Sequence, residues 1–223
     1  MSAPQRIVVI GAGGQARDTA WLIRELAAAG QAISHVGFVV SDVSKLGARD
    51  SVAEVLGDFS WLREHGAEYD GLAMGIGTPE VRLRLALELS ATLPHKTWPA
   101  LVHPSALFER KSARLGRGVM IAPSVTGSVN LVLEDFALVN MGSQLGHEAR
   151  LGRGVVVNPG ASISGGVVLE DAVLVGTGAR VLQYLTVHAG ASVGAGAVVT
   201  KDVAARSVVT GVPARARESR VAS

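Results

Sequence analysis

An aliphatic residue returns at every sixth position through the C-terminal half of the chain: Leu115, Ile121, Leu133, Val139, Leu145, Leu151, Val157, Ile163, Leu169, Val175, Val181, Val187, Val193 and Val199. Gly127 is the one interruption. A period of six is neither the 3.6 of a helix nor the alternation of a simple hairpin, so a short unit must stack on itself many times, as in a β-solenoid. Each hexad reads as a short strand and a bend. The aliphatic residue points inward and a small residue stands beside it, as in Leu145-Gly146, Leu151-Gly152 and Val175-Gly176. Three hexads close a triangular coil, and Leu115 to Ala204 has room for five coils. Val102-His103-Pro104-Ser105-Ala106 reads as a first hexad, and the stretch from Phe108 to Leu115 is one residue too long, which predicts a bulge. Coil ends expose unpaired strand edges. The N-terminal domain is therefore expected against one end, and the irregular Gly211-Val212-Pro213-Ala214 segment over the other. Flat prism sides pack around a three-fold axis, so a homotrimer is expected.

The first hundred residues follow a different rule. Arg6 to Ile10 is a short apolar strand that runs into Gly11-Ala12-Gly13-Gly14-Gln15-Ala16, after which Ala20, Ile23, Leu26 and Ala27 mark one helix face. Further strands fit Val36 to Val40 and Leu72 to Ile76, and helices fit Phe59 to His65 and Pro79 to Leu93. This alternation predicts a small Rossmann-like α/β domain over residues 1–98, with the left-handed β-helix and its cap over 99–223. Glycines at the first turn let backbone N–H groups approach a phosphate at a helix N-terminus. Tight packing of helix on strand selects the same residues. Fewer than a hundred residues leave space for about half a dinucleotide fold, so a nucleotide-linked sugar suits it better than NAD. The second glycine turn, Gly75-Ile76-Gly77, falls at a strand's carboxyl end, where parallel sheets bind ligands. Arg82 follows one helical turn later, open between a phosphate contact and a surface pair with Glu80 or Glu88.

Composition narrows the classes. Of 223 residues, 48% are apolar, enough for a substantial core. No apolar run approaches the length of a membrane span and no secretory leader is recognisable, which points to the cytoplasm. The absence of cysteine excludes disulfides, thiolate zinc sites and a cysteine nucleophile. The formal charge of +2 is scattered, with no stripe for nucleic-acid phosphates. Arg215, Arg217 and Arg220 read as a solvated tail.

The polar stretch Asn140 to Glu148 carries the candidate chemistry. If Leu145 points inward, His147 sits at an outward bend with Glu148 beside it. The spacing leaves it open between a surface pair and a base that takes a proton from an attacking amine or hydroxyl. One coil further on is Gly165, whose bare N–H suits a developing oxyanion. The same column reaches Gln183 and then Lys201, about 14 Å from His147, a fit for the phosphates of a long thioester carrier. His35, His65, His95, His103 and His188 read as structural or solvated, and a catalytic metal, which would need three converging histidines, is not expected.

Taken together, Ile10 to Gly14, Val36-Gly37-Phe38, Gly75-Ile76-Gly77 with Arg82, Val102 to Ala106, Asn140 to Glu148, Val193 to Val199 and Gly211 to Ala214 resemble the sugar O/N-acyltransferases of the sialic-acid O-acetyltransferase and bacillosamine N-acetyltransferase type. The resemblance spans the whole chain. It implies acetyl-CoA as co-substrate, a trimer, and an active site between subunits. By position it implies His147 as general base, Glu148 raising its basicity, and Gly165 binding the thioester carbonyl. The carrier would pass Val156, Thr177, Ala195 and Lys201. Gly13, Gly14, Gln15, Ser41, Asp42, Gly77, Arg82 and Asn140 would serve the nucleotide sugar. Two departures stand out: family members usually have histidine at Gln15, and many have an acidic pair where this chain has Val40 and Ser41, followed by Asp42. The implied function is N-acetylation of a nucleotide-linked amino sugar for surface glycans. The alternatives are O-acetylation of a sugar hydroxyl, and a non-catalytic nucleotide-sugar-binding protein.

Overall fold

The computed structural model describes residues 3–217. The chain begins with strand β1 (Gln5–Ile10), helix α1 (Gly14–Ala28), strand β2 (Ile33–Val39), strand β3 (Val55–Gly57), helix α2 (Phe59–Glu64), strand β4 (Gly71–Met74) and helix α3 (Pro79–Thr92). The four strands form a parallel sheet in the order β3-β2-β1-β4. Ile7 to Ile10 are buried on both faces of the central strand, as a parallel sheet between helices requires. Helix α1 buries Ala16, Ala20, Ile23 and Leu26, with Leu22 and Thr19, while Ala27 faces outward. Proline at the first position of α3 supplies a preset φ where no intrahelical N–H bond is lost. β3 and the two short 3-10 turns before it were not foreseen; their weakly apolar sequence carries no periodic signal.

From Leu101 onward the chain is a left-handed parallel β-helix of two-residue strands on three faces. The first face runs through Leu101–Val102, Met120–Ile121, Leu138–Val139, Val156–Val157, Leu174–Val175 and Ser192–Val193. The second holds Thr126–Gly127, Gln144–Leu145, Ser162–Ile163, Arg180–Val181 and Val198–Val199, and the third holds Arg114–Leu115, Val132–Leu133, Arg150–Leu151, Val168–Leu169 and Thr186–Val187. Leu138 pairs with Val156 and Val156 with Leu174, so the coil repeat is 18 residues. Leu107 pairs with Thr126 but Arg114 pairs with Val132, so the one-residue excess is absorbed between Phe108 and Ala113.

The hexad residues fill the prism together with a second inward column two positions earlier: Val119, Val125, Leu131, Ala137, Ala149, Val155, Ala161, Val167, Val173, Ala179, Ala191 and Ala197. Gly127 breaks the series because Phe108 and Leu131 occupy the space that a side chain there would need. At the far end, Val198 N–H donates to the Gly211 carbonyl at 3.0 Å and Ala214 N–H donates to the Val198 carbonyl at 2.7 Å, so the irregular segment does cover the last coil. Arg215–Ala216 pairs antiparallel with Val208–Thr210 instead of fraying, and Arg220 lies outside the described residues.

One expectation fails. The N-terminal unit does not close the end of the prism; it lies along the first face. Leu101, Met120, Leu138 and Val156 point outward from that face and are buried under Ala12, Ala16, Ala20 and Ile23 of the glycine turn and α1. The cause is apolar residues at 18-residue spacing on this face alone. The corresponding outward positions read Thr126, Gln144, Ser162 and Arg180 on the second face, and Arg114, Val132, Arg150, Val168 and Thr186 on the third.

Candidate active site

His147 stands at the edge where the second face turns into the third. Leu145 points inward and Gly146 and His147 make the corner. Glu148 takes φ +61°, the left-handed conformation that closes the bend. The corner is tied to its neighbours by the Glu148 N–H donating to the Val129 carbonyl at 2.9 Å and the Gly166 N–H donating to the His147 carbonyl at 2.8 Å. The imidazole is directed outward and half exposed, with its Nδ1 3.7 Å from a Glu148 carboxylate oxygen.

The ring lies across Gly165 of the next coil, and a Cβ built there would collide with it. Gly146 is equally constrained, because a side chain there would strike the Gly165 amide. That amide makes no hydrogen bond among the described residues, as at most corners; at the matching position only the Arg117, Arg153 and Ala189 N–H groups are taken, by Asp135, Asp171 and Glu170 at 3.0, 2.7 and 2.9 Å. A proton acceptor and an unengaged donor thus share one outer edge. This arrangement suits attack on a carbonyl: the base takes a proton from the nucleophile while the amide stabilises charge on oxygen.

The remaining predicted residues divide among several places. Lys201 is three coils along the edge of His147 and lines a cavity of about 370 Å³ with Asp202, Ser207 and Arg215. Thr177 and Ala195 are exposed on a different edge, between the first and second faces. Asn140 belongs to that edge as well, largely buried, its amide donating to Asn158 Oδ1 at 3.3 Å. One chain therefore does not bring Asn140, Thr177 or Ala195 to His147. Val156 is a plain correction: it is fully buried beneath α1 and is closed to any carrier.

In the N-terminal unit, Gly13 caps α1 without a side-chain bond, and Gln15 lies beside Gly77 of the second glycine turn. The first turn is shaped by Gly11 at φ +107°, packed against Gly75. A neighbouring cleft of about 190 Å³ is lined by Gly11, Ser41, Asp42, Lys45, Asp50, Phe59 and Ile76, among others. Asp42 accepts from the Ser44 N–H and hydroxyl at 3.0 and 2.6 Å and pairs with Lys45 at 3.0 Å. These contacts, the Ser44 hydroxyl foremost, hold its carboxyl down at about 2.

Arg82 is the second correction. It neither reaches outward nor pairs with Glu80 or Glu88: it is fully buried, Nε donating to the Phe136 carbonyl at 2.6 Å and Nη1 to the Met74 and Ile76 carbonyls at 2.7 and 3.0 Å. Burial alone pushes its guanidinium down to about 9, still protonated at neutral pH. The helix face that buries it is set by docking against the solenoid, which local sequence does not reveal.

Sequence reading missed Lys45 and Asp50 in the cleft, which lie in the unperiodic stretch before β3, and Tyr184. The Tyr184 ring centre is 6.5 Å from that of His147, and 71% of the residue is exposed. Extending the column Glu148, Gly166 by one more coil would have found it. Among the described residues no group of three or more His, Asp or Glu side chains is placed to hold a metal, and no helix is long and apolar enough to cross a membrane.

No protein-family model and no curated protein sequence matches the chain. Solved structures do. GDP-perosamine N-acetyltransferase (PerB) from Caulobacter crescentus, in complex with CoA and GDP-perosamine, is 31% identical with a TM-score of 0.82, over 97% of this chain and 99% of that one. The chain belongs to the sugar N-acetyltransferase family. A second member, the acetyltransferase domain of PglB from Neisseria gonorrhoeae FA1090, is 29% identical with a TM-score of 0.82, over 96% of this chain and 100% of that domain. A third similar structure, WeeI from Acinetobacter baumannii AYE, is 27% identical with a TM-score of 0.81, over 96% of this chain and 100% of that one. As a sugar N-acetyltransferase the protein is an enzyme, and the edge that joins His147 to Gly165 is its candidate active site.

Proposed function

We propose that the protein transfers an acetyl group from acetyl-CoA to the amino group of a nucleotide-linked amino sugar. The observation that carries this reading is the half-exposed imidazole of His147 lying over the unengaged amide of Gly165. Two relatives support the substrates: PerB was crystallised with CoA and GDP-perosamine, and the PglB domain with acetyl coenzyme A. The unprotonated amine attacks the thioester carbon, His147 takes the amine's proton, and the carbonyl oxygen becomes an oxyanion held by the Gly165 N–H. Collapse of this intermediate breaks the carbon–sulfur bond and expels the CoA thiolate. A positioned base contributes about 10²–10⁴-fold, and one oxyanion donor about 10²–10³-fold. Glu148, whose carboxylate lies 3.7 Å from Nδ1, is assigned to orient the ring. Lys201 and Arg215, in one cavity along the same edge, supply cations for the CoA phosphates.

The acceptor is assigned to Gly13, Gly14, Gln15, Gly77, Ser41 and Asp42 around the N-terminal cleft. That unit covers the first face, whereas His147 occupies the opposite edge of its own prism. The acceptor held by one copy must then meet the base of another, which supports the homotrimer. Thr177, Ala195 and Asn140 join the site in the same way, from a neighbouring copy's edge. The reading sets the reaction in the cytoplasm, where acetyl-CoA is made.

The test is a panel of nucleotide-linked amino sugars with acetyl-CoA, following CoA release and product mass, with sugar hydroxyl acceptors in parallel. N-acetylated product from at least one nucleotide-linked amino sugar is expected, and its loss in His147→Ala. Acetylation of hydroxyl acceptors alone, or no transfer at all, overturns the reading; normal turnover by His147→Ala removes the base from it.

A further inference from the structure

We infer that Arg82 is a positioning residue for the acceptor: held inside the protein, it fixes the Gly75-Ile76-Gly77 turn in register with the solenoid coil that carries Phe136. The inference rests on the acceptor assignment above. The turn consists of two glycines around one isoleucine, so it has almost no side chains by which to anchor itself. Its position is set through the backbone. On one side Gly75 N–H donates to the Ile10 carbonyl at 2.8 Å, and Gly75 packs so closely on Ala16 of α1 that a Cβ would collide. On the other side the only polar clamp among the described residues is Arg82, which takes the carbonyls of Met74 and Ile76 through Nη1 and that of Phe136 through Nε.

These three acceptors join the N-terminal unit to the solenoid at α3, where its other side-chain contacts with the solenoid are apolar; the polar contacts at α1, Thr19 on the Met120 sulfur and Glu25 near His103, are both at 4.0 Å. Met74 ends β4, Ile76 is a wall of the N-terminal cleft, and Phe136 is a solenoid corner residue at φ +63°. The Phe136 ring is fully buried and packs edge-on against Trp98 at 5.1 Å, so the carbonyl that receives Nε is itself firmly held. One coil further, Gly154 leaves the space that Leu83 of α3 occupies. A planar guanidinium with five N–H donors can serve three carbonyls in fixed directions, which the single ammonium of lysine cannot reproduce. Among the described residues no carboxylate neutralises the charge, and Nη2 has no hydrogen-bond partner. A guanidinium kept in so unfavourable a place is explained by geometry that a hydrophobic residue would not impose.

Steady-state kinetics of full-length Arg82→Lys and Arg82→Gln, with amide hydrogen exchange on the same proteins, tests this. The expected result is a rise of at least tenfold in KM for the nucleotide-linked sugar with KM for acetyl-CoA within twofold of wild type. Exchange at residues 75–78 should rise while the coils around His147 stay protected. Unchanged KM for the sugar with unchanged exchange overturns the inference, and so does a parallel loss for both substrates with exchange raised throughout the chain, which marks a general stability role. Gly154→Ala, which crowds Leu83 without touching the guanidinium, displaces the same helix and should shift the sugar KM in the same direction if neither Arg82 variant folds. If wild type acetylates no nucleotide-linked sugar, the functional reading fails by itself, and local against global exchange still decides whether Arg82 fixes the turn.

Discussion

At the scale of single residues, the site depends on what glycine leaves out. Gly165 has no unusual φ, so backbone freedom does not explain it; the His147 ring occupies the volume of its missing side chain. Gly165→Ala should therefore displace the imidazole and lower kcat by about 10²-fold with little change in thermal unfolding, measured by steady-state kinetics beside a melting curve. A second residue-scale prediction concerns Asp70, which binds Arg6 through two side-chain contacts of 2.9 and 3.1 Å and accepts the Arg6 N–H at 2.8 Å. Arg6 holds its carboxyl at about 2, below the ordinary 3.8. A depressed carboxylate stabilises the fold above its unfolded value and loses that contribution as pH falls. The melting-temperature difference between wild type and Asp70→Asn should be steady above pH 4 and vanish toward pH 2. The pairing of His147 with Gly165 was legible beforehand because a solenoid converts a sequence offset of one coil into contact. Arg82 was not, since a helix beginning at Pro79 gives no sign of which of its faces meets a distant corner, and a buried arginine with only carbonyl partners has no motif.

At the scale of elements, each coil is held by two inward columns stacked at constant register, and every interior residue supports neighbours above and below. Leu151 is fully buried between Leu133 and Leu169. Leu151→Ala should cost about 2–5 kcal/mol, read from urea denaturation. The regular strands were legible because the hexad period and the strand period coincide along the chain. The seat of α1 was less so, though its trace was present: Met120, Leu138, Val156 and Leu174 form an apolar series at one coil's spacing, visible only when every third hexad is compared. Reading inward positions alone concealed it, so nothing in the period corrected the family resemblance when that placed Val156 on the carrier's path instead of beneath a helix. The stretch from Asp42 to Gly57 was illegible for a different reason. Its 3-10 turns are fixed by local capping, such as Asp42 on Ser44, and by one short edge strand, none of which has a period.

At the scale of the whole molecule, the first face is occupied by the chain's own N-terminal unit and His147 lies at the opposite edge, so acceptor and base should come from different copies. Mixing His147→Ala with Gly77→Asp tests this. The second variant puts a negative charge where a diphosphate is proposed to sit, at a position with nothing closer than 3.9 Å to clash with. Each alone should be inactive, and equal random co-assembly should restore about a quarter of wild-type activity. Failure of any recovery in verified mixed assemblies would assign the site to a single chain. The side-on seat of α1 has one more consequence. It grips the strands from Leu101 to Val156 and leaves those from Ser192 onward unburdened, so the prism works as a gauge with a fixed zero and a movable stop. Lengthening it past Val187 by one coil would shift Lys201, Arg215 and the closing segment outward by about 4.8 Å, while the sugar cleft, Arg82 and His147 kept their places. If Lys201 and Arg215 hold the acyl carrier as proposed, coil number at one extremity can be altered without disturbing the cleft at the other.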